Sequence, residues 1–351
     1  MPIRYSILLV LVTLMAIACS PAEKVAEAPK PAPQPAPSIN DLWEQANLRF
    51  SPVPTTADNP DNPLTDAKVA LGKALYYDNQ LSKDGTISCN SCHDLATFGV
   101  DNEPTSDGVD GQIGDRNSPT VLNAAFHQSQ FWDGRAKDVE EQAGMPILNP
   151  VEMAIPSKEF LVDRLSATED YPLMFAAAFP EEAEPLTYRN IEKALGAFER
   201  TLITPSRFDL YLEGDQEALT PQELAGMEKF IQLNCTSCHN GVNVGAHSFQ
   251  KFGLTGDYWE HTGSEKIDEG RFTVTEDETD KFVFRVASLR NVAETAPYFH
   301  DGSVESLDEA IRIMVTVQLG IELTDEEVEN LAAFLRSLTG EVPAEALQDA
   351  G

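Results

Sequence analysis

Apolar positions along this chain recur with a helical period far more often than with a strand's. Over Asp66–Tyr77, the residues Val69, Ala70, Leu71, Ala74 and Leu75 share one face of an amphipathic helix. A second helix is predicted over Pro221–Gln232. Its start is explicit: Thr220 as N-cap, Pro221 at the first helical position and Glu223 at the third make a capping box. Strand-like alternation is scarce, apart from short pieces such as Lys281–Val286. The pattern predicts a mostly α protein with many loops.

The pattern also repeats. Each of these helices precedes a Cys-x-x-Cys pair, and each half closes on another helix. Ala194–Leu202 contains Phe198-Glu199-Arg200-Thr201-Leu202, and the end of the chain contains Phe334-Leu335-Arg336-Ser337-Leu338 at matching spacing. Helix, Cys pair, long loops, closing helix: the order occurs twice, which divides the chain into residues 40–203 and 204–340 with a tail at 341–351.

The N-terminus has a different composition. Arg4 and the apolar run Ile7–Leu14, broken only by Thr13, read as an export signal over residues 1–18, too short to cross a bilayer as a helix. Ala16-Ile17-Ala18 is a small-residue cleavage site followed directly by Cys19. That arrangement resembles the lipobox of bacterial lipoproteins, with Cys19 lipidated; ordinary cleavage leaving a free Cys19 is the alternative. Either route puts the mature protein outside the cytoplasm, in the periplasm or anchored to a membrane facing it. Residues 19–39 are rich in Pro and Ala and are expected to form an extended tether, with ordered structure beginning near Leu42-Trp43.

A formal net charge of −32 argues against a nucleic-acid partner, since a polyanion would be repelled. It is compatible with a plain solvated surface or with a docking field for a basic electron donor. The five cysteines say more. Cys19 stands alone, and the others form Cys89-Asn90-Ser91-Cys92-His93 and Cys235-Thr236-Ser237-Cys238-His239. In Cys-x-x-Cys-His, two thiols add across haem vinyl groups and the following histidine becomes the proximal iron ligand. A zinc site needs no histidine directly after both pairs, and a dithiol site expects a βαβ context absent from this pattern. Two covalent haem c groups are therefore expected, at Cys89, Cys92 and His93 and at Cys235, Cys238 and His239.

The sixth ligands decide between carrier and catalyst. Met314, between the second pair and the closing helix, is the candidate sulfur ligand of the second haem; a core methionine is the plain alternative. Between Asp94 and Phe126 there is no His, Met, Lys, Tyr or Cys, so the first haem is expected to keep an open face.

From about Leu42 to the closing helix the chain resembles the bacterial di-haem cytochrome c peroxidases. The motifs are Arg116-Asn117-Ser118-Pro119-Thr120-Val121-Leu122-Asn123, Phe131-Trp132-Asp133-Gly134-Arg135, Val151-Glu152-Met153, Leu289-Arg290-Asn291 and Thr295-Ala296-Pro297-Tyr298-Phe299-His300-Asp301-Gly302. The resemblance implies two class I cytochrome c-like domains, each with one covalent haem, joined at an interface. It implies reduction of hydrogen peroxide to water with electrons from a small cytochrome c or cupredoxin, and it makes a homodimer the expected assembly. It implies Glu152 and Gln142 over the open face of the first haem, where a carboxylate can shuttle a proton between peroxide oxygens and an amide can hold them. Trp132 matches an aromatic bridge between the haems, and His300 a position near haem propionates. Asn117, with the backbone oxygens of Thr295 and Pro297, matches a calcium site, which suits all-oxygen ligation. His127, His247 and His261 are expected to be packed or exposed imidazoles without a role.

Two other functions share these features: a related di-haem enzyme that oxidises a partner protein, and a di-haem electron carrier or redox sensor. The first uses tyrosine where Met314 stands, and Glu152 with Gln142 argues against the second. One departure from the family is notable. Many members close the first haem with a histidine from the loop after the first Cys pair, and Val109 occupies that position here.

Overall fold

Helices form where the chain supplies both a cap and an apolar stripe. The computed structural model describes residues 39–347; the export signal, Cys19, most of the tether and residues 348–351 lie outside the described residues. Helix α1 (Ile39–Asn47) begins a little ahead of the expected Leu42-Trp43. α2 (Asp66–Tyr77) has the expected bounds, because Thr65 caps it by accepting from the Lys68 amide. α3 (Cys89–Cys92) is one turn, α4 (Val139–Leu148) is capped by Asp138, and α5 (Lys158–Ser166) and α6 (Tyr171–Ala178) follow. α7 (Tyr188–Glu199) is the closing helix of the first half. It starts earlier than the expected Ala194, because Thr187 caps it and Tyr188 and Ile191 extend its buried stripe. It also ends earlier, with Arg200–Leu202 continuing as turns.

The second half repeats the plan with more loop. It contains α8 (Arg207–Leu212), α9 (Pro221–Gln232), α10 (Tyr258–Thr262), α11 (Phe272–Thr275), α12 (Leu307–Leu319) and α13 (Asp325–Arg336). The capping box of α9 forms as expected, with Thr220 and Glu223 each bonding the other's backbone. The only named sheet among the described residues pairs β1 (Phe249–Lys251) with β2 (Val283–Arg285) antiparallel, Phe249 opposite Arg285. No described helix is long and apolar enough to cross a membrane.

The duplication is physical. α2 crosses α7 at Gly72, where an added Cβ would overlap the carbonyl oxygen of Ala194; α9 crosses α13 at Gly226, with the same overlap at Asn330. One turn further on, Tyr76 meets Phe198 (ring centroids 5.2 Å) and Phe230 meets Phe334 (5.4 Å). Asn123 and Asn291 both take left-handed backbone at the start of a 3₁₀ turn. Their amides donate to Leu202 O and Leu338 O, and their side-chain oxygens accept from the amides of Thr204 and Gly340. Two apolar cores result, one around α2 and α7 and one around α9 and α13, with a third around Phe252, Tyr258, Phe284 and Val317. The tail does not leave the body at residue 341. Val342 and Ala346 pack on the first core, and Tyr77 OH donates to Ala346 O at 2.8 Å.

One buried ion pair joins α4 to the end of α7. Arg200 donates to Glu140 through Nε (2.8 Å) and Nη2 (2.7 Å), and Asn59 and Asn62 add their amides at 3.1 Å. Burial works against the Glu140 carboxylate, but these bonds and the Arg200 charge hold its pKa down to about 2. An Arg200→Leu variant, which leaves that carboxylate buried without its cation, is expected to lose about 3–5 kcal/mol. The pH dependence follows from the lowered pKa. The stabilisation is complete above an ordinary carboxylate pKa of about 4.3 and drains away as the pH falls toward about 2. Urea unfolding between pH 2 and 6 should show this acid limb in the parent protein and a flatter one in the variant.

Candidate functional site

The two Cys pairs are presented by the same local device. Ser88 and Ser91 form a capping box that winds Cys89–Cys92 into one helical turn, and the His93 amide donates to Cys89 O at 3.0 Å. Cys235–Ser237 is a 3₁₀ turn, and the His239 amide donates to Cys235 O at 2.9 Å. Each imidazole points Nδ1 at a carbonyl, His93 at Gly99 O (3.4 Å) and His239 at Val244 O (3.3 Å). A proton held on Nδ1 by a carbonyl leaves Nε2 as the nitrogen available to a metal. Burial pushes both imidazoles toward the neutral, ligating form, His239 to about 4. Tyr76 OH braces the first site by donating to His93 O at 2.5 Å.

Beside His93 opens a cavity of about 1110 Å³, larger than most small-molecule clefts, which run to about 1,000 Å³. Cys89, Cys92 and His93 line it, and so do Gln142 on α4, Glu152 and Trp132. Burial raises the Glu152 carboxyl above its ordinary range, against the opposing charge of Arg135. Glu152 and Arg135 also line a neighbouring cavity of about 520 Å³. Val109 is 1% exposed, and its amide donates to Glu152 O at 2.8 Å, so the loop after the first Cys pair is docked on the segment carrying Glu152. A Cβ at Gly108 would overlap Val151 O, which explains the glycine at this approach.

Trp132 belongs to two environments. It lines the cavity, and it packs on the third core, as Met314 of α12 also does. Its indole N–H donates to Asn117 O at 2.9 Å, and its carbonyl accepts from the Arg285 amide at 2.7 Å. Asn117 donates its backbone amide to His300 O (2.8 Å) and its side-chain amide to Glu103 O (3.0 Å), while Asn102 donates to Ala296 O (2.9 Å). The loop bearing Asn117 therefore lies against the segment containing Thr295 and Pro297. His300 is buried and stacked on Phe284 at 4.2 Å; His127 is half-buried on the cavity wall, and His247 and His261 are exposed.

Charges fix the cavity's rim. Arg116 reaches Asp133 (2.5 Å) and, through two nitrogens, Asp268 (2.6 and 3.0 Å), and Arg135 also donates to Asp133 (2.8 Å). Arg285, 3% exposed, lines the cavity and has no carboxylate partner among the described residues. The buried Asp209–Arg290 pair (2.7 and 2.8 Å) ties α8 to the loop after the second Cys pair. Neither Arg285 nor Glu199, which also lines the cavity, stood out in the sequence. An arginine in a strand and a glutamate in a helix carry no mark of burial. The residues present fit a haem: two thiols and a neutral histidine on the wall of a large cavity, with an unpaired buried cation ready for a carboxylate.

Comparison with known proteins gives the same class. The family model described as di-haem cytochrome c peroxidase matches residues 66–217. The chain is 45% identical to a cytochrome c551 peroxidase of Pseudomonas aeruginosa, over 86% of this chain and 87% of that one. It is 44% identical to a cytochrome c551 peroxidase of Nitrosomonas europaea, over 87% and 90% of the two chains. With the cytochrome c peroxidase Ccp of Escherichia coli the identity is 46%, over 80% of this chain and 60% of the other. Among solved structures, a MauG-like protein associated with microbial copper homeostasis superposes with a TM-score of 0.75 at 33% identity, covering 85% of this chain and 97% of that one. The chain belongs to the di-haem cytochrome c peroxidase family. It is a cytochrome c peroxidase, carrying two haem c groups.

The rim makes a prediction of its own. Asp133→Asn removes the charge shared by Arg116 and Arg135, and it should lower stability by about 2 kcal/mol, the scale of a hydrogen bond to a charged group. Chemical denaturation followed by circular dichroism measures this; an unchanged midpoint would show that Asp268 alone holds Arg116.

Proposed function

We propose that the protein reduces hydrogen peroxide to water at the first haem, using electrons that enter at the second. In this reading residues 40–203 and 204–340 are two class I cytochrome c-like domains. Cys89, Cys92 and His93 hold the peroxidatic haem, and Cys235, Cys238, His239 and Met314 hold the electron-entry haem. The carrying observation is the single cavity whose wall includes His93, Gln142 and Glu152 together.

When bound there, the haem supplies the iron and the electrons that break the O–O bond. The protein's own groups manage protons. The Glu152 carboxylate takes a proton from one peroxide oxygen and delivers it to the other, so that water leaves. Its pKa, raised by burial, brings it closer to working pH and eases the return of that proton. Gln142 holds the peroxide by hydrogen bonds that orient it toward Glu152. Trp132, touching the cavity on one side and the Met314 cluster on the other, is the bridge for electrons between the haems.

The donor in this proposal is a small periplasmic cytochrome c or cupredoxin, drawn to a surface of net charge −32. A calcium ion would take the side-chain oxygen of Asn117 and the carbonyls of Thr295 and Pro297, fixing the loop that carries the Trp132 contact. The mature protein resides in the periplasm, held to a membrane if Cys19 is lipidated, and works as a homodimer.

Two measurements test the site. Glu152→Gln should cut peroxide turnover with a reduced cytochrome by about 10²-fold or more while both haems stay attached. A variant that keeps most of its turnover removes Glu152 from the mechanism. The second concerns Val109, which cannot bind iron and whose loop carries no substitute ligand from Asp94 to Phe126. Electron paramagnetic resonance of the fully ferric protein should therefore show a high-spin first haem, and peroxide should react without prior reduction. Two low-spin haems, with reactivity appearing only after one-electron reduction, would sink that expectation.

A further inference from the structure

The two halves repeat one helix crossing, but the side chains that face the Cys pairs differ in one respect. Counting from the crossing, Gly72 and Tyr76 of α2 correspond to Gly226 and Phe230 of α9; Ala194 and Phe198 of α7 correspond to Asn330 and Phe334 of α13. The next residue is Glu199 in the first half and Leu335 in the second. Leu335 is buried in the second core, as the position demands. Glu199 is 5% exposed, lines the cavity that contains Cys89, Cys92 and His93, and makes no side-chain hydrogen bond or ion pair among the described residues.

Its neighbours do not neutralise it. From α4 the nearest charge is Glu140, a like charge already committed to Arg200; from its own helix end it has Arg200, bound away to Glu140. From α2 it has Tyr76, whose hydroxyl donates to His93 O, and from α3 it has Cys89, whose sulfur becomes a thioether when haem is attached. The 3₁₀ turn Ala124–Phe126 offers no charged group. On α5, Lys158, Glu159 and Asp163 are exposed, and Arg164 is bound to the carbonyls of Gln80, Ser82 and Lys83. A carboxyl in such a place responds to the one charge that changes beside it.

We propose that Glu199 is the redox-linked proton acceptor of the first haem: over the pH range in which its carboxyl is ionised beside ferric iron, an electron arriving at that iron is accompanied by a proton from solvent onto the carboxylate, and an electron leaving releases it. The step balances as one electron from the enzyme's reducing substrate and one proton from water, with no bond formed other than O–H. An ionised Glu199 stabilises ferric iron, and a neutral one stabilises ferrous iron, so the carboxyl sets a pH-dependent potential at this haem alone. Burial, with the Glu140 charge adding to it, raises the Glu199 pKa to about 8, so its titration falls in a pH range where the enzyme can be measured. The inference rests on Cys89, Cys92 and His93 holding the first haem.

The test is a spectroelectrochemical titration of the first haem in the holoenzyme from pH 6 to 10. The parent midpoint potential should fall with rising pH across a window near pH 8, with a slope approaching one proton per electron. Glu199→Gln should lose that slope and hold the higher, low-pH potential throughout. A parent potential flat across the window, or a Glu199→Gln slope equal to the parent's, overturns the assignment and gives the proton to a haem propionate. Redox difference infrared spectroscopy of the parent needs no variant: a protonated-carboxyl band sensitive to deuterium oxide should appear on reduction, and its absence counts against Glu199. Mass spectrometry of haem-bearing peptides checks the underlying reading separately, since a chain without haem on Cys89 and Cys92 fails before any potential is read.

Discussion

Everything in this molecule hangs from a helix crossing so close that no side chain fits between the helices. At Gly72 and again at Gly226, one helix touches the carbonyl oxygens of the helix that closes its half. That contact fixes the relative position of the two helices in each half. The aromatic pair one turn away, Tyr76–Phe198 or Phe230–Phe334, then has a single arrangement open to it. The Cys pair comes next in the chain after the first helix of each pair, within a few residues of α9 and after a 3₁₀ turn and a loop beyond α2. Close packing transmits position because interiors are as dense as crystals and cannot absorb an added methyl group.

On this shared frame the halves diverge by polarity. Around the first Cys pair the wall carries Tyr76, Glu152, Glu199 and the edge of Arg285. Around the second, Cys235 packs on the core that contains Phe230 and Leu335, and the Phe230 ring meets that of His239. A polar wall suits a face where a small polar substrate arrives and protons move, and an apolar wall suits a site that only passes electrons. Trp132 stands where the two environments meet, its backbone and side chain both bonded, so its ring has little freedom to move.

The parts legible in the sequence are those written in local chemistry. The apolar stripe of α2 and the Thr220 cap of α9 placed those helices correctly, and Cys-x-x-Cys-His marks two candidate haem sites directly, because covalent attachment demands adjacent residues. The closing helix of the first half was placed too late, since its start depends on the Thr187 cap and on Tyr188 and Ile191 lying on the buried side. The buried charges were largely illegible. Glu140, Glu199, Arg200 and Arg290 resemble any helix or loop charges until distant segments enclose them. The position of Glu152 was available only through resemblance, and the docking of the Val109 loop on its carbonyl depends on a fold-wide approach that no local pattern records.

The last described residues tie back to the first core. Ala346 is buried there, and Tyr77, at the end of α2, bonds its carbonyl across 269 positions of sequence. The core of the first half is therefore not built from its own residues alone: one edge is closed by Val342 and Ala346. The packing of the first half is thus shared with residues far along the chain, and removing Val342 and Ala346 would uncover the edge of the core that they close.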